Sequence, residues 1–399
     1  MVRHGARRLS WGLIDQGASS LTTLCVSIGV LQGSTDGATE FALIFLMHSL
    51  AVGFSRSITT EPVAQDLALQ SADRVRALVR VSAFTGVAVG LVTALLAAAF
   101  VRPDTAVGLW SLAFPLVVVG TDSLRAAWIG ARQPARAVPY SGAQTAAAAA
   151  GLVLTLVTGD PLWSLVPVVV VSAALTLAGL WRGPALVRAQ LVPHHWYYAA
   201  EWLFTSGLSQ SSGLVVAAQG LPLLPLLLRA QGVLFGPLSS LAQAVAALAV
   251  PEFAALRRRR PALLWPAVAL SAFLMISSAV YSAVLLLVPE DVLSRVLGET
   301  WLEYRPVLLP SIVMIVVAVA PMGPLVSLRA HGYARASLGA KVAVGLVRLV
   351  LPLLGVMVAG VAGFFWGSAL ASVIGGVWSL VTLRNAERRA PAEPVGAVG

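Results

Sequence analysis

Residues 72–101 read ADRVRALVRVSAFTGVAVGLVTALLAAAFV. Arg74, Arg76 and Arg80 stand at the start, and no charge follows until Arg102. A helix needs about 20 residues to cross the hydrocarbon core, so this stretch predicts one membrane span with its basic end in the cytoplasm. The same pattern recurs along the whole chain. Spans are predicted at 9–31, 40–61, 77–100, 107–129, 139–158, 162–181, 199–219, 222–250, 263–288, 307–328, 336–356 and 361–383. Basic residues cluster after every second span: Arg3, Arg7, Arg8; Arg74, Arg76, Arg80; Arg125, Arg132, Arg136; Arg182, Arg188; Arg257 to Arg260; Arg329, Arg335, Lys341; and Arg384, Arg388, Arg389. These are 21 of the 27 basic residues, against 3 on the other side (Arg102, Arg295, Arg305) and 3 inside spans (Arg56, Arg229, Arg348). That asymmetry predicts an even number of spans with both termini in the cytoplasm.

Composition points to the same solvent. The chain has 399 residues, 58% hydrophobic and 11% charged, where a soluble domain carries about 25% charged residues. The net charge of +10 is spread over short loops, which argues for topology and against a nucleic-acid partner. Arg257 to Arg260 form the strongest run, topogenic by default and suited to anionic lipid headgroups. The single cysteine, Cys25, allows no internal disulfide, and the five histidines have no metal-site spacing. The basic start imitates a signal peptide, but Asp15 and Gln16 interrupt the following run and no small-residue cleavage site stands out. It reads as a retained first span.

The chain also repeats itself. Ser123-Leu124-Arg125-Ala126 ends span four, and Ser327-Leu328-Arg329-Ala330 ends span ten. Two halves of six spans follow: 1–181, a linker at 182–198, 199–383, and a tail at 384–399 expected to lack structure. Six spans is an even number, so both halves enter from the same side and form parallel repeats. The expected fold is an all-α polytopic membrane protein of two six-helix lobes around a central cavity. No loop is long enough for a soluble catalytic domain, which takes at least ~50 residues, so no enzyme activity and no cofactor are expected.

Ionisable residues inside spans are costly, at roughly 2.5–3.5 kcal/mol each on insertion scales, and mark function by default. Asp15 in span one and Arg56 in span two lie at similar depths, and an Asp15–Arg56 pair is expected. Span one carries a polar stripe of Asp15, Ser19 and Thr22, and span seven a similar one of Glu201, Thr205, Ser209 and Ser212. Each member can instead serve helix packing. Arg229 in span eight has no acidic neighbour in its own helix, which suits an anionic ligand, since the guanidinium fork matches phosphate. Arg348 in span eleven is similar, with snorkelling as the other reading. Asp122 is read as a local i,i+3 partner of Arg125.

Several of these stretches carry a resemblance. Leu9-Ser10-Trp11-Gly12-Leu13-Ile14-Asp15-Gln16, Gly53-Phe54-Ser55-Arg56 running to Glu61-Pro62, Arg229-Ala230-Gln231 with Gly236-Pro237, and the repeated Ser-Leu-Arg-Ala ends resemble the O-antigen and polysaccharide flippases. These belong to the multidrug/oligosaccharidyl-lipid/polysaccharide (MOP) exporter superfamily. The resemblance implies alternating-access flipping of a polyprenyl-diphosphate-linked glycan across the bacterial plasma membrane. Its partners would be membrane lipids and other polysaccharide-assembly membrane proteins. It implies substrate contacts from Arg56 and Arg229, and the intramembrane residues Arg348, Ser19 and Glu201 are further substrate-binding candidates read from the spans themselves. Drug exporters of the superfamily use first-span carboxylates for cation coupling, which would be the part of Asp15. A cation-coupled multidrug exporter is therefore the second reading, and a membrane polysaccharide polymerase or glycosyltransferase the third, disfavoured by the short outer loops. The Gly-x-x-x-Asp-Arg-x-Gly-Arg-Arg loop of major-facilitator transporters is missing from the corresponding region, residues 65–80.

Overall fold

In lipid the backbone has no water to bond to, so long apolar runs close their hydrogen bonds internally and become helices. The computed structural model describes residues 2–65, 72–131, 133–181, 199–200, 202–221, 223–257, 264–330 and 333–389, and among these there are helices and no strands. The first half contains α1 (Val2–Leu31), α2 (Thr35–Gln65), α3 (Ala72–Val101), α4 (Ala106–Gly130), α5 (Val138–Thr158) and α6 (Val166–Trp181). There follow a π turn at Leu203–Gly207, α7 (Leu208–Ala218), α8 (Leu223–Arg257) and α9 (Leu264–Leu286). The short α10 (Glu290–Leu297) and α11 (Thr300–Tyr304) lead to α12 (Leu308–Ala318), α13 (Met322–Ala330) and α14 (Ala334–Arg389).

Among the described residues nine helices are long and apolar enough to cross a membrane. The twelve predicted spans map onto this set with three physical differences. The polar stripe of α1 and the π turn before α7 keep those two spans out of the nine. Spans eleven and twelve run together as α14, which reverses at Ala359 and Gly360, where Gly360 takes φ 57°. Its arms touch backbone to backbone, because a Cβ on Gly355 would strike the Gly363 carbonyl and one on Gly363 the Gly355 carbonyl. Span ten is broken: α12 stops at Ala318 and α13 starts at Met322, with Pro321 and Pro324 unable to donate the helical N–H.

The chain forms two compact units, Met1–Ser240 with Pro289–Arg305, and Leu241–Val288 with Pro306–Gly399. The division falls within α8, whereas the linker expected at 182–198 lies outside the described residues. Of the tail expected at 384–399, residues 384–389 are helical as the end of α14, and 390–399 lie outside the described residues. In the first unit Val75, Val79 and Ala83 of α3 pack on Leu124 and Ala127 of α4. In the second, Ala267 of α9 packs with Leu328, Ala340 and Leu383. Many large apolar side chains are exposed, among them Val358 at 86% and Trp265 at 81%. Exposed apolar side chains of this kind suit a lipid surface, where Trp is enriched at the headgroup level.

Candidate functional site

The first unit draws charged side chains from α1, α2 and α4 into one ladder. On α4 the i,i+3 spacing sets Asp122 and Arg125 on one face, and Arg125 Nη2 donates to Asp122 Oδ1 at 2.7 Å. The other arm of the same guanidinium reaches α1, where Nη1 donates to Asp15 Oδ2 at 2.8 Å and to the Asp15 carbonyl at 3.4 Å. Asp122 also receives Arg56 of α2 in a fork, Nε to Oδ2 at 2.7 Å and Nη2 to Oδ1 at 2.5 Å. Next to it the hydroxyls of Ser55 and Ser123, 2.7 Å apart, fix the spacing of α2 and α4. The side chains of Asp15 and Arg125 are 1% and 2% exposed, while that of Arg56 is 39% exposed.

The structure thus corrects two expectations. Asp15 does not pair with Arg56; Arg125 stands between them and takes the Asp15 carboxylate. Arg125 is not a cytoplasmic topogenic charge but a buried member of α4, which continues to Gly130. The signal was present in the sequence, since residue 125 falls within the predicted span 107–129 and already has its i,i+3 partner. The local Asp122–Arg125 pair is formed as expected.

Arg229 of α8 lies further along α1. Its Nη2 donates to the Thr23 carbonyl at 3.0 Å and to the Ser27 hydroxyl, and its Cζ stands 3.8 Å from the centre of the Phe45 ring. Nε is buried without a hydrogen-bond partner, and among the described residues no carboxylate pairs with this guanidinium. At about 1.5 Å per residue, Thr23 is about 12 Å along α1 from Asp15, so Arg229 and the ladder are separate centres. Phe45 also meets His48, with ring centres 5.4 Å apart, and His48 packs edge-on to Phe114 at 4.9 Å. Neither Phe45 nor His48 stands out in the sequence; an aromatic in an apolar run gives no sign that a cation will lie on its face.

The other predicted site residues have other contacts or lie outside the described residues. Ser19 is half-buried, and its carbonyl accepts the Thr23 hydroxyl at 3.2 Å. Thr22 bonds Thr145 of α5 at 3.0 Å, so this part of the stripe serves helix packing. The neighbouring Ser20 hydroxyl meets that of Ser240 at 2.8 Å. Glu201 lies outside the described residues. In the second unit Arg348 Nη2 donates to the Ala318 carbonyl at 2.9 Å and the Ser372 hydroxyl at 3.4 Å. It therefore satisfies the end of α12 at the break in span ten, a need that every helix C-terminus has. Ser271 supports the same break, donating to the Ala320 carbonyl at 2.8 Å and accepting from Gly323 N at 3.2 Å. Among the described residues no group of three or more His, Cys, Asp or Glu side chains could hold a metal ion.

No protein-family model matches the sequence, and no curated protein matches it. Solved structures do match in fold. The MATE multidrug transporter DinF-BH, in a ligand complex, aligns at a TM-score of 0.64 with 13% identity, covering 96% of this chain and 95% of that one. An inward-facing multidrug resistance MATE family transporter of the MOP superfamily aligns at 0.58 with 14% identity, covering 94% and 96%. An outward-facing one aligns at 0.58 with 15% identity, covering 96% of both chains. The chain is a multi-pass, all-helical membrane protein with the fold of the MATE transporters of the MOP superfamily.

Proposed function

We propose that the chain is an alternating-access exporter whose cargo is anionic, a polyprenyl-diphosphate-linked oligosaccharide moved across the bacterial plasma membrane. The single observation that carries this reading is Arg229: a guanidinium held within a span by a carbonyl, a hydroxyl and an aromatic face, with no carboxylate paired to it among the described residues. A cation placed so keeps donor capacity for phosphate oxygens, and its positive charge favours an anion in a low dielectric. Arg56 is the second contact, since its guanidinium is partly exposed beyond the ladder. The test is flipping of a fluorescent lipid-diphosphate oligosaccharide in proteoliposomes. Arg229→Ala is expected to slow it about tenfold to hundredfold, as for loss of one or two charge-assisted hydrogen bonds. Flipping at the wild-type rate removes the reading.

The fold comparison favours cation-coupled multidrug export more directly, because the matched structures are of multidrug transporters, one of them with a ligand bound. That reading calls for a carboxylate free to meet a cationic drug or a coupling ion. Asp15 and Asp122 are both held by arginines. Efflux of a cationic dye that is driven by a sodium or proton gradient and lost in Asp15→Asn would establish the multidrug reading and displace the glycan one.

A further inference from the structure

Asp15, Arg125, Asp122 and Arg56 alternate in sign across three helices, and their charges sum to zero. A buried carboxylate in a membrane span needs a positive partner. Such a partner can be a cation taken from solution or a group of the chain itself. Here the position against Asp15 is filled from within the chain. The Arg125 guanidinium is fixed by three acceptors at once, Asp15 Oδ2, the Asp15 carbonyl and Asp122 Oδ1. Asp122 is saturated in turn by the two-pronged contact from Arg56. Asp15 cannot lose Arg125 without its charge being left alone in a buried place, which is a strongly disfavoured state.

We propose that Arg125 is the resident counter-ion of Asp15, a tethered guanidinium occupying the place that an alkali cation would otherwise take. A tethered group competes at a high effective concentration, which dissolved sodium at physiological levels cannot match once the geometry is satisfied. The α1 carboxylate is thereby closed to ion exchange, and α1, α2 and α4 are held as one charge-neutral body. Arg125 is a positioning residue: it acts on Asp15 and on no cargo. The inference depends on neither cargo reading, because it concerns what neutralises Asp15 whatever is carried.

The test uses the purified full chain and follows thermal unfolding in choline, sodium or potassium chloride at equal ionic strength, and in millimolar guanidinium. Wild type is expected to unfold at one temperature in all of them. Arg125→Ala is expected to unfold earlier and to be restored by about 2 °C or more by guanidinium or sodium, as for a ligand well above its Kd. Asp15→Asn/Arg125→Ala, which lacks the carboxylate, should show no cation-dependent shift. If Arg125→Ala does not yield folded protein, wild type against Asp15→Asn carries the test. A sodium or potassium shift in wild type that disappears in Asp15→Asn overturns the proposal, and so does a folded Arg125→Ala that no cation stabilises. Equal unfolding temperatures in choline and sodium for both wild type and Asp15→Asn support it. No cargo is needed for any of these readings, so their failure is distinct from failure of the transport assignment.

Discussion

Arg125→Met isolates the energetics of the ladder. The substitution keeps an unbranched side chain in the space between α1 and α4 and removes the charge and its donors. Asp122 retains the paired contact from Arg56. Asp15 retains no cation: its side chain is 1% exposed and its only ion pair is with Arg125 among the described residues. Removing one partner of a buried pair costs about 3–5 kcal/mol, because the survivor stays in low dielectric unpaired. No discount for solvent applies at this burial. An unfolding entropy of roughly 2.1 cal/mol/K per residue gives roughly 0.8 kcal/mol/K for a chain of this length, so the melting temperature should fall by about 4–6 °C. Helices that persist in detergent lower that entropy and enlarge the shift. The assay is thermal unfolding of the purified protein, with Asp15→Asn and the double variant completing a cycle. Asp15→Asn/Arg125→Met should recover at least half of the loss, since it leaves no charge stranded. A single variant within about 1 °C of wild type, or a double variant whose losses simply add, would refute this account of the pair.

Other substitutions grade the remaining contacts. Arg56→Met should cost about 1 kcal/mol or less, near 1 °C in the same assay, because Arg56 is part-exposed and Asp122 keeps Arg125. Arg348→Met should lower stability by about 1–3 kcal/mol, through the lost cap on the Ala318 carbonyl, with transport by the folded protein unchanged; a selective loss of transport at full stability would instead make it a cargo contact. Gly363→Leu should prevent the arms of α14 from closing and abolish the folded monodisperse protein in size-exclusion chromatography, since its side chain would enter the Gly355 carbonyl. Phe45→Leu should weaken cargo flipping less than Arg229→Ala, by about twofold to thirtyfold, as for loss of one cation–π contact of about 0.5–2 kcal/mol.

The spans were legible because they depend on a one-dimensional quantity, the length of apolar runs. Arg74, Arg76 and Arg80 announce α3 without any knowledge of its neighbours. The site was legible in Asp15, Arg56 and Arg229 and in the local Asp122–Arg125 pair, and not in the pairing between helices. Asp15 and Arg56 share a depth, and depth was all that the sequence supplied; which guanidinium reaches Asp15 depends on how α1 and α4 are rotated about their axes. Arg125 was hidden by the charge rule, because a basic residue near an expected cytoplasmic span end is ordinarily read as a topogenic charge. The break in span ten shows the complementary difficulty. Pro321 and Pro324 mark a weak point, but lipid-buried helices often tolerate proline. What makes the break stable is Arg348 and Ser271 arriving from other helices.

The two centres of the first unit differ in how their charge is balanced, and on the proposed function that difference separates a structural centre from one that meets the cargo. In the ladder each guanidinium finds a carboxylate within 2.8 Å, so the field it sends outward largely cancels. Around Arg229 the acceptors are a carbonyl, a hydroxyl and a ring face, each a dipole or quadrupole and none a full charge. Two charges at an effective dielectric of about 20 attract by about 4 kcal/mol at about 4 Å. That attraction is satisfied inside the protein at the ladder and stays available at Arg229. An anion arriving there gains it, and a cation arriving there is opposed by it. A cationic drug would therefore have to be met away from Arg229 or by a carboxylate released from the ladder, and the second route requires breaking Asp15 from Arg125. Transport of a cationic dye that survives in Asp15→Asn would show the first route, whereas dye transport accelerated by Arg229→Ala would show that the unbalanced charge is the barrier it meets.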